Sequence, residues 1–239
     1  MLCIFASTSS FAKGVHWGYD GKAGPSNWGD LDKKFHLCKK GLKQSPIDIV
    51  NVKKEATKKL TINYADTPLN IVNNGHTLQV NYKAGSTLLI GKNKFNLLQF
   101  HFHTPSEHKV KSKAFPIEAH FVHANDKKEL AVIGVMIKEG KANKAFASIL
   151  ENAPTNVGEK PVKSTMVNGK AIQPSNMNVY YNYSGSLTTP PCSEGVNWIV
   201  IKEPIEMSKA QIERFKKIFS MNARPVQKIG SRQIKTSQK

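Results

Sequence analysis

Gln99-Phe100-His101-Phe102-His103-Thr104-Pro105-Ser106-Glu107-His108 is the stretch whose reading decides the rest. Its first five residues alternate polar and aromatic, the period of a β-strand, in which successive side chains point to opposite faces. Gln99, His101 and His103 then share one face, while Phe100 and Phe102 share the other and line an apolar core. A second stretch, Pro116-Ile117-Glu118-Ala119-His120-Phe121-Val122-His123, repeats the arrangement. There Glu118, His120 and Val122 face one way, and Ala119, Phe121 and His123 the other. If the two strands are neighbours, His120 completes a three-histidine set with His101 and His103. Neutral imidazoles suit zinc, and three protein ligands with one open position make a catalytic rather than a structural site. Glu118 and Gln99 lie on the ligand face and can accept the remaining ring N–H bonds, fixing tautomer and orientation. Spacing alone leaves a set of satisfied histidines in a β-protein open as the alternative, and it identifies no substrate.

Around these strands, residues from about 60 to 138 form short runs rich in Val, Ile, Leu, Phe and Thr, separated by turn residues. The pattern predicts strands at 69–73, 77–83, 86–90, 95–103, 116–124 and 130–138, and another at 196–201. Asn73-Asn74-Gly75 and Lys83-Ala84-Gly85 suit tight reversals. Helical signals are few. Ala142, Ala145, Phe146, Ile149 and Leu150 recur at helical spacing over 142–150. A second helix is predicted to begin near Ser208, with Ser208 as cap, Gln211 three residues on, and Ile212, Phe215 and Phe219 as a core-facing stripe. Residues 14–50, rich in Gly, Pro, Asn and Trp, are expected to wrap the surface as irregular chain. With no linker-like tract and no internal repeat, the expectation is one mainly β (α+β) domain with short peripheral helices.

The chain has 239 residues, 39% of them hydrophobic and 22% charged, as in an ordinary globular domain able to bury a sizeable core. No stretch approaches the roughly 20 apolar residues that span a bilayer as a helix. Thirty-five Lys and Arg against 17 Asp and Glu give a formal charge of +18, and residues 209–239 hold nine basic residues with Glu213 as the one acid. Such a balance can mark nucleic-acid binding. The remaining basic residues are scattered, however, and no helix-turn-helix, zinc-finger or RNA-binding signature accompanies them, so no nucleic-acid partner is expected. Residues 1–12 are uncharged, partly apolar and end in Ser-Phe-Ala before Lys13. They resemble the tail of a secretory signal peptide without its basic n-region. The expected division is therefore a signal remnant at 1–12, one catalytic domain at 13–230 and a basic tail at 231–239. If Cys3 leaves with the signal, Cys38 and Cys192 remain as an even pair; an exported protein would join them, whereas a cytosolic one would keep two buried thiols. Neither belongs to a CxxC pair, which argues against a metal role.

Longer motifs add to this. His16-Trp17-Gly18-Tyr19, Gln44-Ser45-Pro46-Ile47-Asp48-Ile49, Asn73-Asn74-Gly75-His76, the two histidine strands with Ser106-Glu107-His108, and Gly185-Ser186-Leu187-Thr188-Thr189-Pro190-Pro191-Cys192 leading to Trp198 occur in that order. The chain resembles the α-class carbonic anhydrases, specifically the bacterial exported members, from His16 to about Arg224. The resemblance implies a single domain on a large, twisted, mostly antiparallel sheet, with one zinc ion at the base of a conical cleft. It implies His101, His103 and His120 as ligands, Gln99 and Glu118 behind them, Thr188 as gatekeeper paired with Glu107, and His76 as proton shuttle. Val122, Val132, Leu187 and Trp198 would form the carbon dioxide wall, and Thr189 would contact bicarbonate. Tyr19, Asn74, Thr77 and Gln79 would line the proton path, and Cys38–Cys192 matches the disulfide of exported members. Ser45-Pro46 and Pro190-Pro191 fall at positions where the family uses cis prolines. The implied activity is reversible hydration of carbon dioxide to bicarbonate by attack of zinc-bound hydroxide, with an esterase side reaction. Sulfonamide and small-anion inhibition and a periplasmic or secreted location are implied too. Bacterial relatives are often dimers, so a homodimer is a further expectation, though this sequence carries no interface signal.

Two other readings compete. A zinc hydrolase would use the same nucleophile on esters, and a binding module reusing the fold would have lost the metal. Bound zinc and the rate of carbon dioxide hydration separate the three.

Overall fold

In a computed structural model, residues 15–237 are described. The expected signal remnant at 1–12, with Cys3, lies outside the described residues. The strands in chain order are β1 (Asp48–Ile49), β2 (Lys53–Lys54), β3 (Leu60–Asn63), β4 (Thr67–Asn73), β5 (Leu78–Asn81), β6 (Thr87–Ile90) and β7 (Asn93–His103). They continue with β8 (Lys109–Val110), β9 (Ile117–Ala124), β10 (Leu130–Glu139), β11 (Gly158–Val167), β12 (Tyr180–Ser186), β13 (Glu194–Met207) and β14 (Lys235–Thr236). The helices are short: α1 (Trp28–Leu31), α2 (Leu37–Lys40), α3 (Lys144–Asn152) and α4 (Lys209–Ile218).

A 12-stranded sheet runs in the order β11-β4-β5-β7-β9-β10-β13-β12-β14-β2, with β3 and β6 joined to it through β7. Its pairs are antiparallel except β10–β13 and β14–β2. The alternation read from the sequence orients the central strands. Phe100, Phe102, Ala119, Phe121 and Ile133 are fully buried on one face. There they pack with Phe146 of α3 and Ile212 and Phe215 of α4, the apolar stripes predicted for those helices. The opposite face carries a second apolar cluster around Val132, Tyr183, Trp198 and Val200. Ser208 caps α4 in a reciprocal box with Gln211, and the same Gln211 accepts from Asn143 N–H at the start of α3. One side chain thereby pins two helix N-termini against the core.

Several features depart from the sequence expectation, among them β1, β2, β3 and β8, which had no expected counterpart, and α1 and α2 within the segment expected as irregular chain. The strand expected at 196–201 extends over 14 residues. β11 and β12 had no predicted counterpart. Residues 231–237, read as the start of a basic tail, belong to the fold: Ile234 is buried and Lys235–Thr236 pair with β12 and β2. A two-residue strand is too short to leave a periodic signal in the sequence. Cys38 and Cys192 are joined, with an S–S distance of 2.06 Å. The Ser45–Pro46 and Pro190–Pro191 bonds are cis, as is Thr104–Pro105.

Candidate metal centre

Strand register builds the site. β7 and β9 are antiparallel neighbours in which His101 lies directly across from His120 and His103 across from Glu118. Ligand-capable atoms of His101, His103 and His120 lie within 4.8 Å of one another. The second ring nitrogen of His101 and of His103 is hydrogen-bonded elsewhere, and that of His120 lies beside a carboxylate without a hydrogen bond. His101 Nδ1–H donates to Gln99 Oε1 (2.8 Å), and His103 Nδ1–H donates to the Asn222 carbonyl (2.7 Å). His120 Nε2 lies 2.9 Å from Glu118 Oε1. Because carbonyl oxygens only accept, these contacts assign the tautomers. His101 Nε2, His103 Nε2 and His120 Nδ1 are left to converge. His103 Nε2 is buried with no hydrogen-bond partner, a costly arrangement for an apo site and the one a cation relieves.

The electrostatics agree. Burial, reinforced by the neighbouring histidines, pushes His101 well below the ordinary histidine range. Burial also lowers His103, against the opposing pull of Glu107. Both are thus neutral, as zinc ligands must be. Burial opposes protonation of His120 too, but Glu118 and Glu107 outweigh it and raise its pKa. The carboxylates therefore ask for positive charge at this spot. Three imidazoles with their far nitrogens fixed, beside uncompensated negative charge and without a fourth protein ligand in the cluster, fit zinc in a three-histidine site.

The support behind Glu118 is extensive. His108 donates its backbone N–H to Glu118 Oε2 (2.9 Å) and its Nδ1–H to Oε1 (2.8 Å). His108 Nε2 then accepts from the Tyr183 hydroxyl (2.6 Å), which lies 2.8 Å from Ser45 Oγ. His108, Glu118 and His120 also form a second close cluster of donor atoms. The His108 nitrogens and both Glu118 oxygens are engaged by these bonds, so His108 braces the carboxylate that faces His120.

Most of the remaining candidates converge on the same cleft. Tyr19, Asn74, His76, Thr77, Gln79 and Thr189 line one cavity of about 110 Å³ with Gln99, His101 and His103. The His76 ring stacks on Trp17 with centroids 3.6 Å apart and planes 8° apart. Burial, with a smaller effect of His16, lowers its pKa. Burial raises the Tyr19 hydroxyl well above its ordinary value, and Glu107 adds to this. Val122, Val132 and Trp198 form a register-linked row across β9, β10 and β13, and Leu187 packs against that cluster. The expected Thr188–Glu107 hydrogen bond is not closed. Glu107 Oε1 accepts from Arg224 N–H (2.8 Å), while its buried Oε2 has no partner. That oxygen stands 3.5 Å from His103 Nε2 and 3.8 Å from His120 Nδ1.

Sequence reasoning missed Asn222 and Arg224. Asn222 orients His103 through its backbone carbonyl, which no side-chain motif announces. Its side chain accepts from Thr104 N–H and donates to the His76 and Phe102 carbonyls. Buried Arg224 donates to Gln44 Oε1, Ser45 O and Cys38 O, tying the disulfide-bearing N-terminal segment to Glu107.

Comparison with known proteins gives a consistent result. The family described as eukaryotic-type carbonic anhydrase matches residues 23–238. A carbonic anhydrase of Nostoc sp. is 44% identical over 229 residues, covering 93% of this chain and 86% of the relative. The structure of a hyperthermostable carbonic anhydrase from an active hydrothermal vent chimney superposes with a TM-score of 0.90 at 46% identity, covering 93% of this chain and all of that one. The α-carbonic anhydrase of Thermovibrio ammonificans, solved with the inhibitor sulfanilamide, gives 0.90 at 42% identity over 93% of this chain and 99% of its own.

Proposed function

The chain belongs to the α-class, eukaryotic-type carbonic anhydrase family, and from that premise we propose that it catalyses the reversible hydration of carbon dioxide to bicarbonate at one zinc ion held by His101, His103 and His120. The observation that carries this reading is the three-histidine cluster, whose far ring nitrogens are already bonded or ion-paired. Zinc at such a site supplies Lewis acidity that lowers the pKa of water from 15.7 to about 7.

The chain's own residues do the rest. Neutral His101 and His103 would leave the charge of a bound zinc largely uncompensated. Gln99, Glu118 and the Asn222 carbonyl hold the rings in place. The Thr188 hydroxyl would donate to Glu107 Oε2, a bond open in this structure, and so present its own lone pairs to the incoming nucleophile. This polarity selects oxygen species that still carry a proton. Val122, Val132, Leu187 and Trp198 offer an apolar wall on which carbon dioxide rests beside the reacting oxygen, reducing the entropic cost of encounter. Thr189 donates to the bicarbonate product. Each turnover leaves one proton to export. Water in the cleft lined by Tyr19, Asn74, Thr77 and Gln79 would carry it to His76, whose imidazole accepts it and releases it to buffer.

The same centre cleaves activated esters as a side reaction, and it takes sulfonamides, as the sulfanilamide complex of the Thermovibrio protein supports by analogy. The Cys38–Cys192 bond suggests an oxidising compartment; we place the protein in the periplasm or outside the cell. A pH-indicator stopped-flow assay of the purified protein tests the proposal. Carbon dioxide hydration should be fast, lost with a strong chelator and restored by added zinc. Ester cleavage without hydration would make the protein a hydrolase, and neither activity in zinc-loaded protein would make it a binding module.

A further inference from the structure

We propose that the cavity of about 380 Å³ bounded by Lys43, Ser184, Ser231, Arg232 and Lys235 is a binding site for a small oxyanion of the phosphate type. It shares no lining residue with the histidine cavity. Its centre is Arg232, held in one pose by neutral partners. Nε donates to Ile229 O (2.8 Å), Nη1 to Ser184 O (3.0 Å) and Nη2 to Lys228 O (2.7 Å). The guanidinium also sits 5.6 Å from the centre of the Tyr183 ring. A guanidinium has five N–H groups, so two remain for a ligand.

The charge is less well satisfied than the hydrogen bonds. Arg232 is half-buried, and burial lowers its pKa, yet among the described residues it forms no salt bridge. The neighbouring Glu194 accepts from Lys43 N–H (2.6 Å) and Gln44 Nε2 (3.1 Å) through Oε1, and its charge offsets part of the effect of burial on Arg232 without a direct ion pair. The Lys43 ammonium is exposed and makes no ion pair among the described residues. Lys235 is the compensated member, bound to Glu55. A partly desolvated cation that makes no direct ion pair retains the capacity to hold an anion. An oxyanion offering two parallel oxygens matches the guanidinium fork and supplies the direct ion pair that Glu194 does not make. The Ser184 and Ser231 hydroxyls, for which the structure records no side-chain hydrogen bond, supply further donors for tetrahedral oxygens. The formal charge of +18 raises the local concentration of anions around the whole molecule.

An NMR titration of the zinc-loaded protein with inorganic phosphate, at constant ionic strength against chloride, tests the site. Saturable amide shifts are expected at Ser184, Ser231 and Arg232, with a Kd of about 1 mM, the weak end of specific binding. Chloride should not reproduce them. Arg232→Gln should abolish saturation, and Lys43→Gln, at an exposed residue, should weaken it several-fold. If Arg232→Gln fails to fold, Lys43→Gln decides. Non-saturating shifts, equal shifts with chloride, or undiminished affinity in the folded variants would overturn the proposal.

Discussion

Glu118 lays its carboxylate so closely over Gly134 that a Cβ at that position would meet Oε1 at 2.7 Å. Gly134 is also the cross-strand partner of His120 on β10. The bare Cα is therefore what lets Glu118 reach the His120 ring. Gly134→Ala should push the carboxylate aside and reduce zinc affinity by about 10- to 100-fold, the usual cost of losing a partner of a metal-bound histidine. Competition with a chromogenic chelator measures it. Unchanged affinity would mean that the placement of Glu118 does not govern the metal.

His76 carries a prediction about rate and one about titration. Replacing it by Ala should lower maximal turnover in weak buffer, and added imidazole should recover the loss. Because burial lowers its pKa, its ring should titrate below 6.5 by NMR, leaving it neutral and ready to accept a proton at neutral pH. A buffer-independent rate in the variant would remove His76 as the shuttle.

Thr188→Ala should leave zinc bound yet cost roughly 10²-fold in turnover, the scale of losing one oriented electrostatic contact. The free Oε2 of Glu107 awaits the hydroxyl, so the loss should fall on turnover more than on metal content. Near-normal turnover would exclude the Thr188–Glu107 relay.

On the opposite face of the sheet, His123 is fully buried, with Nε2 2.5 Å from the Tyr64 hydroxyl. Burial lowers its pKa to about 4. The unfolded chain therefore binds a proton near pH 6.5 that the folded one refuses until about pH 4. Stability from this residue is complete above pH 6.5 and falls as pH drops toward 4, by about 3 kcal/mol in all. Urea unfolding of His123→Gln across this window should show a shallower loss than wild type, by up to about one proton in slope. Parallel profiles would contradict the assignment.

The strands that carry the site were legible because each buries both faces for a different reason. Phe100 and Phe102 pack into the core while His101 and His103 face the cleft, so the alternation is sharp. The capping residues Ser208 and Gln211 announced α4 equally plainly. β11 was invisible because it is an exposed edge containing Glu159, Lys160, Pro161 and Lys163, with no apolar run to mark it. β12 hid behind Asn182, Ser184 and Gly185, whose neighbours settle its pairing. Asn222 escaped because it acts on His103 through a backbone atom every residue has. The His108–Tyr183–Ser45 brace joins residues far apart in the chain, and only the folded sheet brings them together.

X-ray absorption at the zinc edge of the metal-loaded protein tests the central claim most directly. One zinc per chain is expected, with three imidazole nitrogens at about 2.0–2.1 Å and one oxygen from solvent. Loss of a nitrogen shell in His120→Ala should follow. A sulfur ligand, a fourth protein donor, or an unaltered spectrum in that variant would contradict it.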